Sequence, residues 1–454
     1  MNNKPIKYYS TNHNSEHVSF REALLKGLAP DGGLYMPDSF PSLKSKELDR
    51  LSMQEYPEIA FTVLEKMIGN EIDKEDLSII CNEAYDFEVP LENVYDRNYI
   101  LRLDNGPTAS FKDFAARMMS RLMQYYISRE KRHLTILTAT SGDTGSAVAN
   151  AFFGLSNINV VILFPLAEVS LIQRKQMSTL GKNITVIAIN GKFDDCQQLV
   201  KTAFRDPSLD HKPLSSANSI NAGRLLPQSV YYFYAWSRLR KSIVDHVVFS
   251  VPSGNFGNLM GGLIAKKMGL PVSRFVVSTN ANDEVPQFLK TGIYKSITPS
   301  INCISSAMNV GHPSNLSRIV SLYNGMMNEK GEINQDPDLR RMREDLAGIS
   351  VTDDDTKKTI AETYSRYGIV LEPHGAVAWK GLVEYLKLYN NDSDNLSISL
   401  ETAHPAKFPD EIRQIIGTAT VFPPSLSGIA EKYESFLTLE NNYEMVREVL
   451  LKNI

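Results

Sequence analysis

Lys112 stands in the stretch GPTASFKDFAARMMSRLMQYY, where a turn gives way to a helix-forming run. Asn105-Gly106-Pro107 is the turn signal, and the spacing predicts a helix from near Phe111. A cation in the first helical turn opposes the positive end of the helix dipole, and burial disfavours its charged form. Both effects favour the free amine, the form in which a lysine adds to a carbonyl group. Two other stretches carry Ser-Gly-x-x-Gly between a β-rich run and a helix-forming run: ATSGDTGSA at 139–147 and PSGNFGN at 252–258. A strand–bend–helix of this kind aims several backbone N–H groups at one point beside the positive helix end, which favours an anion. Gly254 and Gly257 permit unusual dihedrals and close approach to the backbone. In the other bend Ser141, Asp143 and Thr144 add hydrogen-bonding side chains beside Gly142, where one would suffice to cap a helix. Neither bend is Gly-x-Gly-x-x-Gly or ends in Gly-Lys-Ser/Thr, which speaks against dinucleotide and P-loop nucleotide binding. Read singly, each bend also fits a tight βα turn, and Lys112 a wet helix edge.

The elements that must position these residues follow from periodicity. Phe111, Phe114, Ala115, Met118, Met119, Leu122 and Met123 form an apolar stripe at helical spacing, as a core-packed helix requires. From residue 99 onward, β-branched runs such as HLTILTAT, NVVILFP, NITVIAI, HVVFSVP and RFVVSTN alternate with helix-like segments. That alternation implies βαβ units and largely parallel sheets. The expected organisation is a mainly helical N-terminal region at 1–98, an α/β domain at 99–236 holding Lys112 and the first bend, and a second α/β domain at 237–454 holding SGNFGN. The charged stretch 329–358 reads as a solvated helix and turns.

Composition bounds the function. The chain has 454 residues, 43% hydrophobic and 22% charged, as ordinary globular proteins do. A net charge of −4 argues against nucleic acid, whose binders carry a strongly basic face. No apolar run approaches the roughly 18 residues that cross a bilayer, and the polar N-terminus does not resemble a secretory signal. Three scattered cysteines and eight histidines offer neither a disulfide framework nor a metal pattern. The expectation is a cytoplasmic protein without metal, nucleic acid or membrane partners, a monomer or homodimer.

The stretches GPTASFKDF, ATSGDTGSA and PSGNFGN, together with GLAPDGGLYMP at 27–37, SANSINAGRLLPQ at 216–228 and ETAHPAKF at 401–408, resemble the threonine synthases, within the fold-type II pyridoxal-phosphate enzymes. Six motifs in order span nearly the whole chain. The resemblance implies two α/β domains with parallel-type sheets, pyridoxal 5'-phosphate as cofactor and O-phospho-L-homoserine as substrate. The activity implied is a carbon–oxygen lyase that releases phosphate and yields threonine.

By position, the resemblance makes Lys112 the Schiff-base lysine and the base for the α-proton. It gives the cofactor phosphate to Gly254, Asn255, Phe256, Gly257 and Asn258, and the ring nitrogen to Thr402. Ser141, Gly142, Asp143 and Thr144 take the substrate carboxylate; many relatives have Asn where this chain has Asp143. Asn218, Ser219 and Arg224 match the segment that receives the substrate phosphate. Glu401 reads as structural, facing away from Thr402 on the same strand. His404 and Lys407 fit either substrate contact or loop ordering. Another fold-type II lyase, such as a threonine dehydratase or cysteine synthase, and a non-catalytic relative are the alternatives. The first lacks the second phosphate segment, and an intact Lys112 speaks against the second.

Overall fold

A computed structural model of the chain describes residues 5–389 and 395–452. Its β-rich runs assemble into two sheets. One has six strands in the order Leu346–Ser350, Val272–Thr279, Val247–Pro252, Leu396–Glu401, Asn98–Arg102, Leu91–Tyr95. All neighbours are parallel except the last pair, an antiparallel hairpin. The other is wholly parallel, in the order Leu437–Glu440, Ile184–Asn190, Ile158–Pro165, Leu134–Ala139, Leu214–Ser215. The central strands are apolar on both faces because helices cover both, as parallel sheets require. In Val247–Pro252, for example, Phe249 and Val251 join the main core, whereas Val248 packs with Trp379 and Leu382 on the opposite face.

The helix Lys112–Glu130 buries Phe114, Ala115, Met118, Met119, Leu122 and Met123, six of the seven residues of the stripe read from its spacing; Phe111 stands ahead of the helix at its cap and is half-buried. It packs against the helices Lys74–Ala84 and Asp143–Phe152. Ahead of it lie the helices Phe20–Lys26, Ser45–Arg50, Tyr56–Ile68 and Lys74–Ala84, with a small antiparallel pair, Tyr8–Ser10 and Tyr35–Pro37. Among the described residues no helix is long and apolar enough to cross a membrane.

Two readings need correction. The stretch 329–358 is not only a solvated helix and turns: the helix Leu339–Asp345 leads directly into the strand Leu346–Ser350, which pairs with Phe275–Thr279 at the sheet edge. Its short apolar run is hidden by charged neighbours, and an edge strand needs few apolar residues. Sheet membership also cuts across the linear segments 1–98, 99–236 and 237–454. Residues 91–102 join a sheet built from 247–401, and 437–440 return to the sheet built from 134–215.

Candidate active site

The candidate binding and catalytic residues follow the carboxyl ends of parallel strands, where ligands of open α/β sheets bind. The turn 103–111 follows Asn98–Arg102, SGDTG follows Leu134–Ala139, Asn218 follows Leu214–Ser215, SGNFG follows Val247–Pro252, and Thr402 follows Leu396–Glu401.

The start of the lysine helix is fixed by its neighbours in sequence. Buried Asp113 accepts from Thr108 N at 2.8 Å and from Thr108 Oγ1 at 2.6 Å. Gly106 is required there, since a Cβ on it would lie 2.4 Å from Asp113 Oδ2. The same turn is stitched to the segment after Leu396–Glu401: Phe111 N donates to Thr402 O at 2.9 Å and His404 N to Ala109 O at 3.0 Å. Lys112 thereby enters the site with its side chain only 15% exposed, its Nζ 3.6 Å from Asp143 Oδ2. Burial pushes the Lys112 ammonium below its ordinary range, opposed by Asp143 and assisted by Lys407 and Arg224.

Asp143 opens the helix Asp143–Phe152, and Gly142 precedes it with φ of 136°. Gly142, not a side chain, occupies the cap position. The loop is held instead by Thr140 Oγ1, which accepts from Gly142 N at 3.0 Å and Gly145 N at 2.8 Å. Ser141 and Thr144 are half-buried, and their hydroxyls make no hydrogen bond among the described residues. Asp143 itself is 4% exposed and is met by Lys407 Nζ at 2.6 Å and Gln173 Nε2 at 2.9 Å. Burial raises its carboxyl, but Lys407 and Lys112 outweigh that and hold it well below the usual range.

In the SGNFG bend the left-handed residue is Phe256, with φ of 62°; Gly254 and Gly257 have no such φ, so their expected unusual dihedrals are not what the bend uses. Gly254 is needed for space instead, because a Cβ there would lie 2.8 Å from Met308 Cα. At the start of the helix Gly257–Lys267, Asn258 Oδ1 accepts from Tyr231 and Tyr232 hydroxyls at 2.6 and 2.7 Å, and its buried Nδ2 has no acceptor among the described residues. An orphaned donor beside a helix N-terminus, with an amine of lowered proton affinity across the site, fits a phosphate-bearing aldehyde such as pyridoxal phosphate.

The 218–224 segment shares a wall with this bend. Asn255 Nδ2 donates to Ser219 Oγ at 2.8 Å, so residues expected on two different phosphates touch each other. Asn218 Nδ2 donates to Ala139 O at 3.2 Å, beside the first bend. Arg224 is 3% exposed, donates from Nη1 to Ala217 O at 2.5 Å, and keeps a buried Nε without acceptor among the described residues. Burial lowers its guanidinium to about 10. Thr402 Oγ1 donates to Glu372 Oε1 at 3.4 Å; Glu372 in turn meets His374 Nδ1 at 2.5 Å, and His374 Nε2 accepts from Ala307 N at 3.0 Å. Glu401 accepts from Glu372 N at 2.7 Å and lies 3.7 Å from Arg102, as a structural acid would.

Sequence reasoning missed several of these groups. Gln173, Glu372 and Arg318 carried no motif. Arg318 is 0% exposed, donating to the carbonyls of Tyr35 at 3.1 Å, Ser219 at 2.8 Å and Ile220 at 2.5 Å, and to Asn315 Oδ1 at 2.6 Å. Asn315 then donates to Asn255 O at 2.9 Å, which places a buried guanidinium, with no acid within ion-pair distance among the described residues, two contacts from the bend.

Two largely parallel sheets, strand-end glycine bends and a buried lysine define a fold-type II pyridoxal-phosphate enzyme. Residues 91–398 match the family described as pyridoxal-phosphate dependent enzyme, residues 7–85 the threonine synthase N terminus, and residues 376–450 the threonine synthase C-terminal family. Threonine synthase of Haemophilus influenzae is 42% identical over 452 residues, covering 99% of this chain and all of that one. The crystal structure of a PLP-bound threonine synthase from Brucella melitensis superposes with a TM-score of 0.90 at 35% identity, covering 98% of each chain. A threonine deaminase isoform from Solanum lycopersicum reaches a TM-score of 0.55 at 17% identity over 86% of this chain and 96% of its own, a likeness of fold alone. The chain belongs to the threonine synthase family.

Proposed function

We propose that this chain converts O-phospho-L-homoserine and water to L-threonine and inorganic phosphate. The observation that carries the reading is the buried Lys112–Asp143 centre among strand-end loops, in a chain that matches threonine synthases over 98% or more of its length. Pyridoxal phosphate, when bound, supplies the electron sink that lets protons leave the carbons next to the substrate amino group.

The chain's own residues do the rest. Gly254, Asn255, Phe256, Gly257 and Asn258 hold the cofactor phosphate, with backbone N–H groups and Asn258 Nδ2 as donors. Lys112 would hold the cofactor, and as a free amine its Nζ takes the α-proton and returns a proton later in the reaction. Thr402 is assigned to the ring nitrogen, oriented by Glu372. Ser141, Gly142 and Thr144 form the loop assigned to the substrate carboxylate, which Ser141 and Thr144 meet through hydroxyls that have no other partner among the described residues. Asp143 lines that loop as an anion, its charge offset by Lys407. Asn218, Ser219 and Arg224 receive the substrate phosphate; the buried Arg224 has no carboxylate within ion-pair distance among the described residues, so its charge awaits an anion. The site is a cytoplasmic one in this reading, in a monomer or homodimer, consistent with three cysteines that are unpaired.

Borohydride reduction of the holoprotein followed by peptide mass mapping tests the assignment. The pyridoxyl mark is expected on Lys112, and K112A is expected to abolish phosphate release. A mark on another lysine, or on none, overturns it.

A further inference from the structure

Asp143 carries one negative charge and faces two ammonium groups. Lys407 Nζ lies 2.6 Å from Oδ1 and Lys112 Nζ 3.6 Å from Oδ2. Lys407 is 1% exposed, and its other contact is the neutral carbonyl of Thr108 at 2.9 Å. A buried charge is tolerated only when closely paired. Lys407 holds the short contact and Lys112 the long one, so Lys112 is the cation in excess. The Thr108 carbonyl belongs to the turn that sets the start of the lysine helix, so Lys407 fixes both Asp143 and the approach of Lys112 to it.

We propose that Lys407 is a positioning residue that occupies Asp143 and thereby weakens that carboxylate's hold on the Lys112 ammonium. The charged groups that face Lys112 are Asp143 on the first glycine bend, Lys407 on the turn after Thr402, Arg224 on the 222–224 turn, and Glu372 ahead of the helix Pro373–Leu388. Asp113 and His404 sense Lys407 as well. Of these groups Lys407 alone both repels the Lys112 ammonium and closes a short ion pair with the acid nearest to it. The catalytic use of a free amine rests on the reading of Lys112 as the cofactor lysine; the protonation of its Nζ does not.

The test is competitive acetylation of the full-length chain freed of cofactor, with the Lys112 peptide followed by mass spectrometry as a function of pH. An opposite charge at this range shifts a group by roughly 1–3 pH units. K407M should therefore slow labelling of Lys112 near neutral pH by about tenfold or more and move its profile to higher pH. D143N should speed labelling, K407R should keep the parental profile, and the charge-balanced pair D143N/K407M should return close to it. A K407M protein that melts lower yet labels Lys112 as the parent does would overturn the proposal, as would K407R behaving like K407M. Should K407M fail to fold, unchanged labelling in D143N would overturn it equally. Because the assay needs no cofactor, a borohydride mark elsewhere than Lys112 would sink the functional reading while leaving this measurement to decide the proposal.

Discussion

His404 shows how the site holds its charges at the scale of one residue. Burial first, then Arg102 and Lys407, push its imidazole from 6.5 down to about 4. Between those values the unfolded chain binds a proton that the folded chain refuses. Stability is therefore fully present above pH 6.5 and is lost as pH falls toward 4. Asp104 works in the opposite sense: burial raises its carboxyl from 3.8 to about 6, so over that range the folded chain keeps a proton that the unfolded one gives up. The histidine contribution is at most roughly 3 kcal/mol. H404N keeps an acceptor for Ala406 N, which His404 Nδ1 meets at 3.1 Å, and removes the titration. Its melting temperature should fall less steeply than the parent's as pH drops from 6.5 to 4. An identical slope would show that His404 is not held neutral. At this scale Lys112 was legible through the resemblance of GPTASFKDF and its companion motifs to the threonine synthases, since a lone lysine at a helix start reads as well as a wet helix edge. Lys407 was not, since nothing in ETAHPAKF says which acid it meets.

At the scale of elements, the two glycines of SGNFG differ in kind. A Cβ on Gly254 would press on backbone, 2.8 Å from Met308 Cα and 3.0 Å from Ala307 O, whereas one on Gly257 would meet Ser219 Cβ at 3.3 Å. G254A should lower stability by about 1–3 kcal/mol through overpacking. G257A should melt near the parent yet bind pyridoxal phosphate at least about tenfold more weakly, since a hydrogen bond to a charged group contributes about 1.5–3 kcal/mol. Thermal melts beside a cofactor titration check both, and equal cofactor affinity in G257A would move the phosphate elsewhere. The strands of both sheets were readable as β-branched runs between turns, as HLTILTAT and HVVFSVP became Leu134–Ala139 and Val247–Pro252. The bend between strand and helix was readable only as a bend. The neighbours that limit space at Gly254 and Gly257, Met308 and Ser219, approach from distant segments and leave no mark in SGNFGN.

Across the whole molecule, Arg318 ties together parts that lie far apart in the chain. It joins the N-terminal pair at Tyr35, the 219–220 segment and Asn315 beside the SGNFG bend. In sequence LSRIVSL carries no motif, and nothing in it says that its arginine is buried. Burial of its guanidinium, lowered to about 9, follows from packing between segments that no local pattern reports. R318M leaves several buried carbonyls unpaired, at about 1–3 kcal/mol each. Its melting temperature should drop, and saturating cofactor should raise it by less than in the parent. A variant that melts and responds to cofactor as the parent does would contradict this.

The central claim is the conversion itself, and product analysis in ¹⁸O-enriched water tests it most directly. Holoprotein supplied with O-phospho-L-homoserine should release phosphate and L-threonine in equal amounts, with the label in the threonine hydroxyl and none in the phosphate, because phosphate departs with its carbon–oxygen bond broken and water adds at the β-carbon. Phosphate released without threonine, 2-oxobutyrate as the accumulating product, or label entering phosphate would contradict it.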